Sequence, residues 1–165
     1  MMTLQNVILV LTATTTALIA GLFYAWTCSV IPGLARLNNV EYIRAMQSFN
    51  TAIQNPLFFI CFFGTAILLP VCTYMHFRHP VSIRFWLLLI STVAYLLGVM
   101  AVTIFGNIPL NNSLESFSLT LSNPEVIAAQ RRNFEGAWNS LHTIRTIASA
   151  LSIVLVIIAC INAEE

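Results

Sequence analysis

From Val7 to Ile31 the chain carries no charged residue, and three more apolar runs follow, Pro56 to Met75, Phe85 to Gly106 and Leu141 to Ile161. A helix needs about 20 mainly apolar residues to cross a hydrocarbon core about 30 Å thick. Each run is long enough, and Arg145 is the only charge within them. The segments 7–31, 56–75, 85–105 and 141–161 therefore predict four membrane-spanning helices in a single all-α transmembrane domain, with the lipid bilayer as its surroundings.

Composition supports that reading. Apolar residues make up 58% of the chain and charged residues 8%, whereas a soluble domain carries roughly a quarter charged. Mean hydropathy is +0.84, which excludes a disordered chain and a conventional soluble enzyme. Seven Arg and no Lys face six Glu and no Asp, for a net charge of +1. Nucleic-acid binding needs a basic patch, so no nucleic-acid partner is expected. The first run has no Lys or Arg ahead of it and exceeds the roughly 7 to 15 apolar residues of a secretory leader, so it reads as a retained span.

The short connection 76–84 makes the second and third spans antiparallel neighbours. The long connections 32–55 and 106–140 then lie together at the other end, the capped end. In the first, Val40, Ile43, Met46, Phe49 and Ile53 recur at three- or four-residue steps, the mark of an amphipathic helix. In the second, Asn123-Pro124-Glu125 reads as a helix start, with Asn123 as cap and Pro124 in the first turn; this helix is expected to run into the fourth span, with Gly136 as a bend. The fold class is thus a four-helix membrane bundle with two amphipathic helical connections on one side. Arg78 and Arg84 on the short connection favour cytoplasmic termini. Arg36, Arg44, Arg131 and Arg132 argue the other way unless some of them serve structure or a ligand.

Cys28, Cys61, Cys72 and Cys160 all lie in spans without a C-x-x-C pair, and read as small buried residues. His76 and His79 read as interfacial polar residues, and His142 lies at the opposite end. No set of ligands for a metal is evident.

Polar groups at the membrane edge are costly and mark function by default. Here they gather at the capped end: Tyr24, Trp26, Thr27 and Ser29; Gln47, Asn50, Gln54 and Asn55; Asn107, Asn111 and Asn112; and the segment from Trp138 and Asn139 to Thr146. Trp138, His142, Arg145 and Ser149 share one helix face. Arg145 is expected to turn into the bundle, where amide oxygens or a ligand anion satisfy it; Asn50, Asn55, Asn107 and Asn111 are at the right depth to supply those oxygens. Two readings fit: a polar network that fixes helix register, with Trp and Tyr as interfacial anchors, or a small-molecule pocket built on it.

The runs Ile31-Pro32-Gly33-Leu34, Met46-Gln47-x-x-Asn50, Asn55-Pro56-x-Phe58, Asn107-x-Pro109-Leu110-Asn111 and Trp138-x-x-x-His142-x-x-Arg145-Thr146 resemble the bacterial DUF1772 family, which is grouped with the anthrone oxygenases. The resemblance covers nearly the whole chain. It implies oxidation of a tricyclic anthrone or another small aromatic, polyketide-like compound by O₂, without metal or flavin, in a bacterial inner membrane. The anthrone methylene is acidic because its carbanion is an aromatic phenolate. Such chemistry needs a base, an anion stabiliser and an apolar slot. The expected roles are His142 as base, Arg145 with Asn107 or Asn111 on the oxyanion, and Tyr24, Trp26, Phe58 and Trp138 as the slot. Asn50, Asn55 and Asn139 complete the expected ligand-binding set.

Other readings use the same residues. One is a non-catalytic binder of a lipophilic or quinone-like compound. Another is a haem or copper protein with His142 as ligand. A third is a structural subunit of a membrane complex, using Ala20-Gly21 and Gly98 for close helix contacts. A transporter fits least, because all six Glu are expected in connections or at the C-terminus. Monomer and homo-oligomer are both compatible with a four-helix bundle.

Overall fold

The computed structural model describes residues 3–162 and contains five helices among them; Glu164 and Glu165 lie outside the described residues. Helix α1 spans Leu4–Leu34, α3 Pro56–Met75, α4 Ile83–Glu115 and α5 Pro124–Ile161, each long and apolar enough to cross a membrane. Helix α2, Asn39–Ala52, links α1 to α3.

Each helix starts where the sequence supplies a cap. Asn38 Oδ1 accepts from the Glu41 amide and the Glu41 carboxylate accepts from the Asn38 amide, a reciprocal capping box. Asn55 Oδ1 accepts from the Phe58 amide at 3.1 Å, and Asn123 Oδ1 from the Val126 amide at 2.9 Å. In both cases a proline follows in the first turn, where its missing N–H costs nothing.

The four long helices close a ring in which α1 packs on α3, α3 on the first half of α4, α4 on α5, and α5 back on α1. Lipid offers no hydrophobic drive for such contacts, so close packing and polar bonds hold them. Ser91 and Ser152 each donate to the other's backbone carbonyl, at 3.1 and 3.2 Å. Thr73 and Thr92 share a hydrogen bond of 2.9 Å, and the Tyr95 hydroxyl donates to the Phe62 carbonyl at 2.9 Å. Gly98 lies against Ala148 so closely that a Cβ there would overlap the alanine methyl. Large apolar side chains such as Leu57, Ile67, Leu97 and Ile147 face outward. The chain is an integral membrane protein.

Helix α2 covers the capped end, burying Tyr42, Ile43 and Met46 against Leu114, Ile127 and Phe134. Val40 and Phe49, which share the expected apolar stripe, are more exposed, because the buried face centres on Tyr42 and Ile43. Arg131 ties the cap together. It bonds the Leu37 carbonyl at 2.7 Å, pairs with Glu135 at 2.7 Å and lies 4.4 Å over the Tyr42 ring. Burial, reinforced by Glu135, raises the Tyr42 phenol above its ordinary range. Arg131 is thus one capped-end arginine with a structural task.

Two helices run past the expected spans: α1 continues through Pro32-Gly33 to Leu34, and α4 continues through 106–115 to Glu115. In each case a π-helical turn, Trp26–Val30 or Thr103–Asn107, precedes the proline. A proline clashes with the carbonyl four residues back and cannot bond it. Widening the turn around Cys28 and Phe105 moves that carbonyl aside, and the helix continues past Pro32 and Pro109. Helix α5 runs through Gly136 unbroken. Its 38 residues give a length of about 57 Å, so its first turns stand beyond the hydrocarbon.

Candidate functional site

Of the three π-helical stretches among the described residues, Leu96–Ala101 lies nearer the start of α4, and the other two, Trp26–Val30 and Thr103–Asn107, bracket the polar centre of the molecule. Trp26 and Thr27 stand on one, Thr103 and Asn107 on the other, and α5 passes between them carrying Trp138, His142 and Arg145. These three and Ser149 are all buried, as their common face predicts. The Trp138 indole stacks on the His142 imidazole at 5.0 Å and 12°.

Arg145 donates from Nη2 to Nδ1 of His142 at 3.0 Å. A guanidinium only donates, so Nδ1 bears the lone pair and the ring proton is on Nε2. That N–H lies 3.1 Å from Thr27 Oγ1, 3.3 Å from the Phe23 carbonyl and 3.3 Å from Thr146 Oγ1. Arg145 Nη1 donates to Thr103 Oγ1 at 3.4 Å. The guanidinium carbon lies 4.9 Å from the Phe23 ring centroid and 5.3 Å from that of Trp138, within cation–π range. No amide oxygen of Asn50, Asn55, Asn107 or Asn111 reaches Arg145, contrary to expectation; a hydroxyl, an imidazole and two aromatic faces surround it instead. Among the described residues no carboxylate pairs with it.

Beside this group lies a chamber of about 370 Å³, within the size range of small-molecule pockets. Four of its lining residues hold a buried polar atom without a protein partner: Trp26 Nε1, Asn50 Nδ2, Arg145 Nε and Asn107 Oδ1. Three are donors and one is an acceptor. Such atoms are few in native proteins and each calls for a cause. The Trp138 indole N–H, by contrast, donates to Asn111 Oδ1 at 2.8 Å, which fixes the ring that floors the chamber. Phe49 meets Trp26 edge-on at 5.1 Å, and Phe58 stacks on Phe62 at 5.0 Å, so much of the remaining wall is aromatic, completed by Leu22, Ile53, Ile104 and Ile108.

Of the residues singled out from the sequence, Trp26, Asn50, Asn107, Asn111, Trp138, His142 and Arg145 line this chamber, as does Phe58. Tyr24, Asn55 and Asn139 do not. Tyr24 faces outward at 66% exposure. Asn55 is spent as the cap of α3. Asn139 is one residue off the buried face of α5. Gln47 is likewise structural, donating to the Leu114 and Phe117 carbonyls at the end of α4.

Sequence reasoning missed Phe59, Phe62 and Phe63, whose clustering near the start of α3 reads equally as lipid-facing surface. It also missed Glu115, which ends α4 at the chamber's rim rather than lying in a connection.

His76, which follows the last residue of α3 at the far end of the bundle, is buried, and its Nδ1 donates to the Cys72 carbonyl at 2.8 Å. The four cysteines are free, and Cys28 and Cys160 are exposed rather than buried. Among the described residues no three His, Cys, Asp or Glu side chains are grouped to hold a metal ion.

Residues 58–155 match the model of one protein family, described as anthrone oxygenase. The matched segment includes α5 through the buried Trp138, His142 and Arg145, and leaves out the π turn of α1. No curated protein and no solved structure gives a match.

Proposed function

Because the chain belongs to the anthrone oxygenase family, we propose that its chamber binds a flat aromatic ketone of the anthrone class and that the protein oxidises it with O₂. The observation that carries this reading is Arg145, a buried cation whose Nε lacks a protein acceptor and which has no carboxylate partner among the described residues. A charge inside a membrane protein is retained only with compensation. A ligand oxygen that becomes anionic supplies it, and Trp26 Nε1 and Asn50 Nδ2 offer further donors.

The chemistry follows from the substrate. Loss of a methylene proton places the carbanion's charge on the ring oxygen as an aryloxide, which the guanidinium stabilises where charge develops. The aryloxide is the reductant for O₂. One oxygen atom ends as the new quinone carbonyl, the other leaves as water, and the two methylene hydrogens go with it. His142 takes the first proton. Its Nδ1 lone pair accepts from Arg145 Nη2, while Nε of the same guanidinium is left for the ketone oxygen, so the imidazole steadies the guanidinium and Nη2 gives up its bond as Nδ1 takes the proton.

A non-catalytic binder is the second reading, favoured by the fact that both ring nitrogens of His142 already have protein partners. Oxygen uptake by purified protein supplied with an anthrone separates the two. The oxygenase reading expects one O₂ consumed per quinone formed, faster than without protein. Saturable quenching of tryptophan emission by the anthrone, with no enhanced uptake, overturns it in favour of the binder.

A further inference from the structure

Helix α3 packs along Ile83–Tyr95, the first half of α4, and parts from the second half. The fork lies where the Tyr95 hydroxyl donates to the Phe62 carbonyl and the two rings meet at 6.4 Å. At and beyond it, Phe59 and Phe63 of α3 and Ile104 and Ile108 of α4 line the chamber and are 39%, 47%, 45% and 42% exposed. Apolar side chains that bound a cavity and keep this much accessible surface, on two helices that have parted, mark the edges of an opening. Phe59 and Phe63 lie three and seven residues into a membrane-spanning helix, about 5 and 11 Å along its axis, so this opening meets acyl chains rather than water.

We propose that the ligand reaches the chamber sideways, from the hydrocarbon of the bilayer, through this fork between α3 and α4. The inference rests on the reading of the chamber as a ligand site and names the phase that supplies it: a lipid-dissolved, flat apolar compound. All four edge residues are apolar, which suits passage of such a compound and gives a water-borne ion nothing to hold. The chamber's other rim is formed by Gln54, Asn112 and Glu115, all exposed; amides and a carboxylate make it a poor threshold for an apolar polycycle. Inside, the unpartnered donors of Trp26, Asn50 and Arg145 stop a ketone that has come through the apolar edge.

The test uses the chain's own tryptophans. Trp26 and Trp138 line the chamber and Trp86 faces outward, so Trp86→Phe leaves only chamber emission. The variant is reconstituted into phosphatidylcholine vesicles whose acyl chains carry bromine near the headgroup. Loss of emission relative to unbrominated vesicles is expected. Combining Ile104→Phe with Ile108→Phe, which narrows the fork, is expected to restore emission, and Phe63→Ala, which widens it, to deepen the loss. Equal emission in both vesicle types overturns the proposal, as does a loss that neither edge variant changes. None of these readings needs turnover. Fork-dependent quenching without oxygen uptake removes the oxygenase reading alone, whereas turnover by a protein without such quenching removes the fork alone.

Discussion

Nδ1 of His142 accepts a hydrogen bond from the guanidinium of Arg145 at 3.0 Å, from three residues further along the same buried face. The two side chains therefore act as one unit. The imidazole orients the guanidinium, and the guanidinium holds the lone pair that a base would use.

Substitution can separate those duties. Gln at position 142 offers Arg145 an amide oxygen but no usable base. His142→Gln is expected to lower kcat by at least about 100-fold, the usual scale for a lost general base, with anthrone affinity little changed. His142→Ala should weaken affinity as well, because Arg145 loses its anchor. Turnover kinetics beside a fluorescence titration distinguishes these cases, and full activity in the Gln variant would make His142 a positioning residue.

Arg145→Lys keeps a charge but loses the planar fork and its Nε donor. Ketone binding is expected to weaken by about 1.5–3 kcal/mol, the worth of a hydrogen bond to a charged group. Quenching of chamber tryptophan emission by titrated ligand, read in the Trp86→Phe background, measures this directly, and an unchanged Kd would sever the guanidinium from the ligand.

The Trp138–Asn111 bond gives a stability test without substrate. Trp138→Phe leaves Asn111 Oδ1 without its donor and should cost about 1–3 kcal/mol. Adding Asn111→Leu should recover part of that loss, since the orphaned acceptor goes too. Thermal unfolding of both single variants and the double variant in detergent measures the coupling; additive losses would show that the two side chains do not interact.

Two glycines should behave oppositely. Gly98→Val pushes α4 from α5 at Ala148 and should destabilise by about 1–3 kcal/mol. At Gly136 an added Cβ meets nothing within 4 Å, so Gly136→Ala should stabilise by about 0.5–1 kcal/mol through helix propensity alone. Unfolding midpoints shifting in the same direction would contradict this contrast.

Much of the architecture was legible because lipid imposes simple demands. Uncharged runs, an Asn-Pro start at Asn123 and the stripe along α2 each follow from one local rule. The four-residue logic that buries Trp138, His142 and Arg145 is equally local. The site's other members depend on rotation, where a one-residue error turns a side chain by about 100°. Choosing Tyr24 over Phe23, or Asn139 as well as Trp138, follows polarity, whereas the chamber wall follows the helix face. Asn55-Pro56 reads equally as cap or ligand, because both tasks use the same amide oxygen. The wide turns leave little trace beyond a proline downstream, and a proline normally signals an end.

Each of those wide turns holds one residue more than an α-helical turn of the same reach. Deleting one residue within Thr103–Asn107 would restore ordinary pitch and turn the rest of α4 by about 100°, carrying Asn111 and Glu115 off the chamber while leaving the apolar length of the helix nearly intact. One codon therefore separates a helix that serves the pocket from one that merely anchors the chain, and the same edit in Trp26–Val30 would displace the α1 side. A site of this kind is open to invention, and to loss, in a single genetic step that the membrane itself would scarcely register.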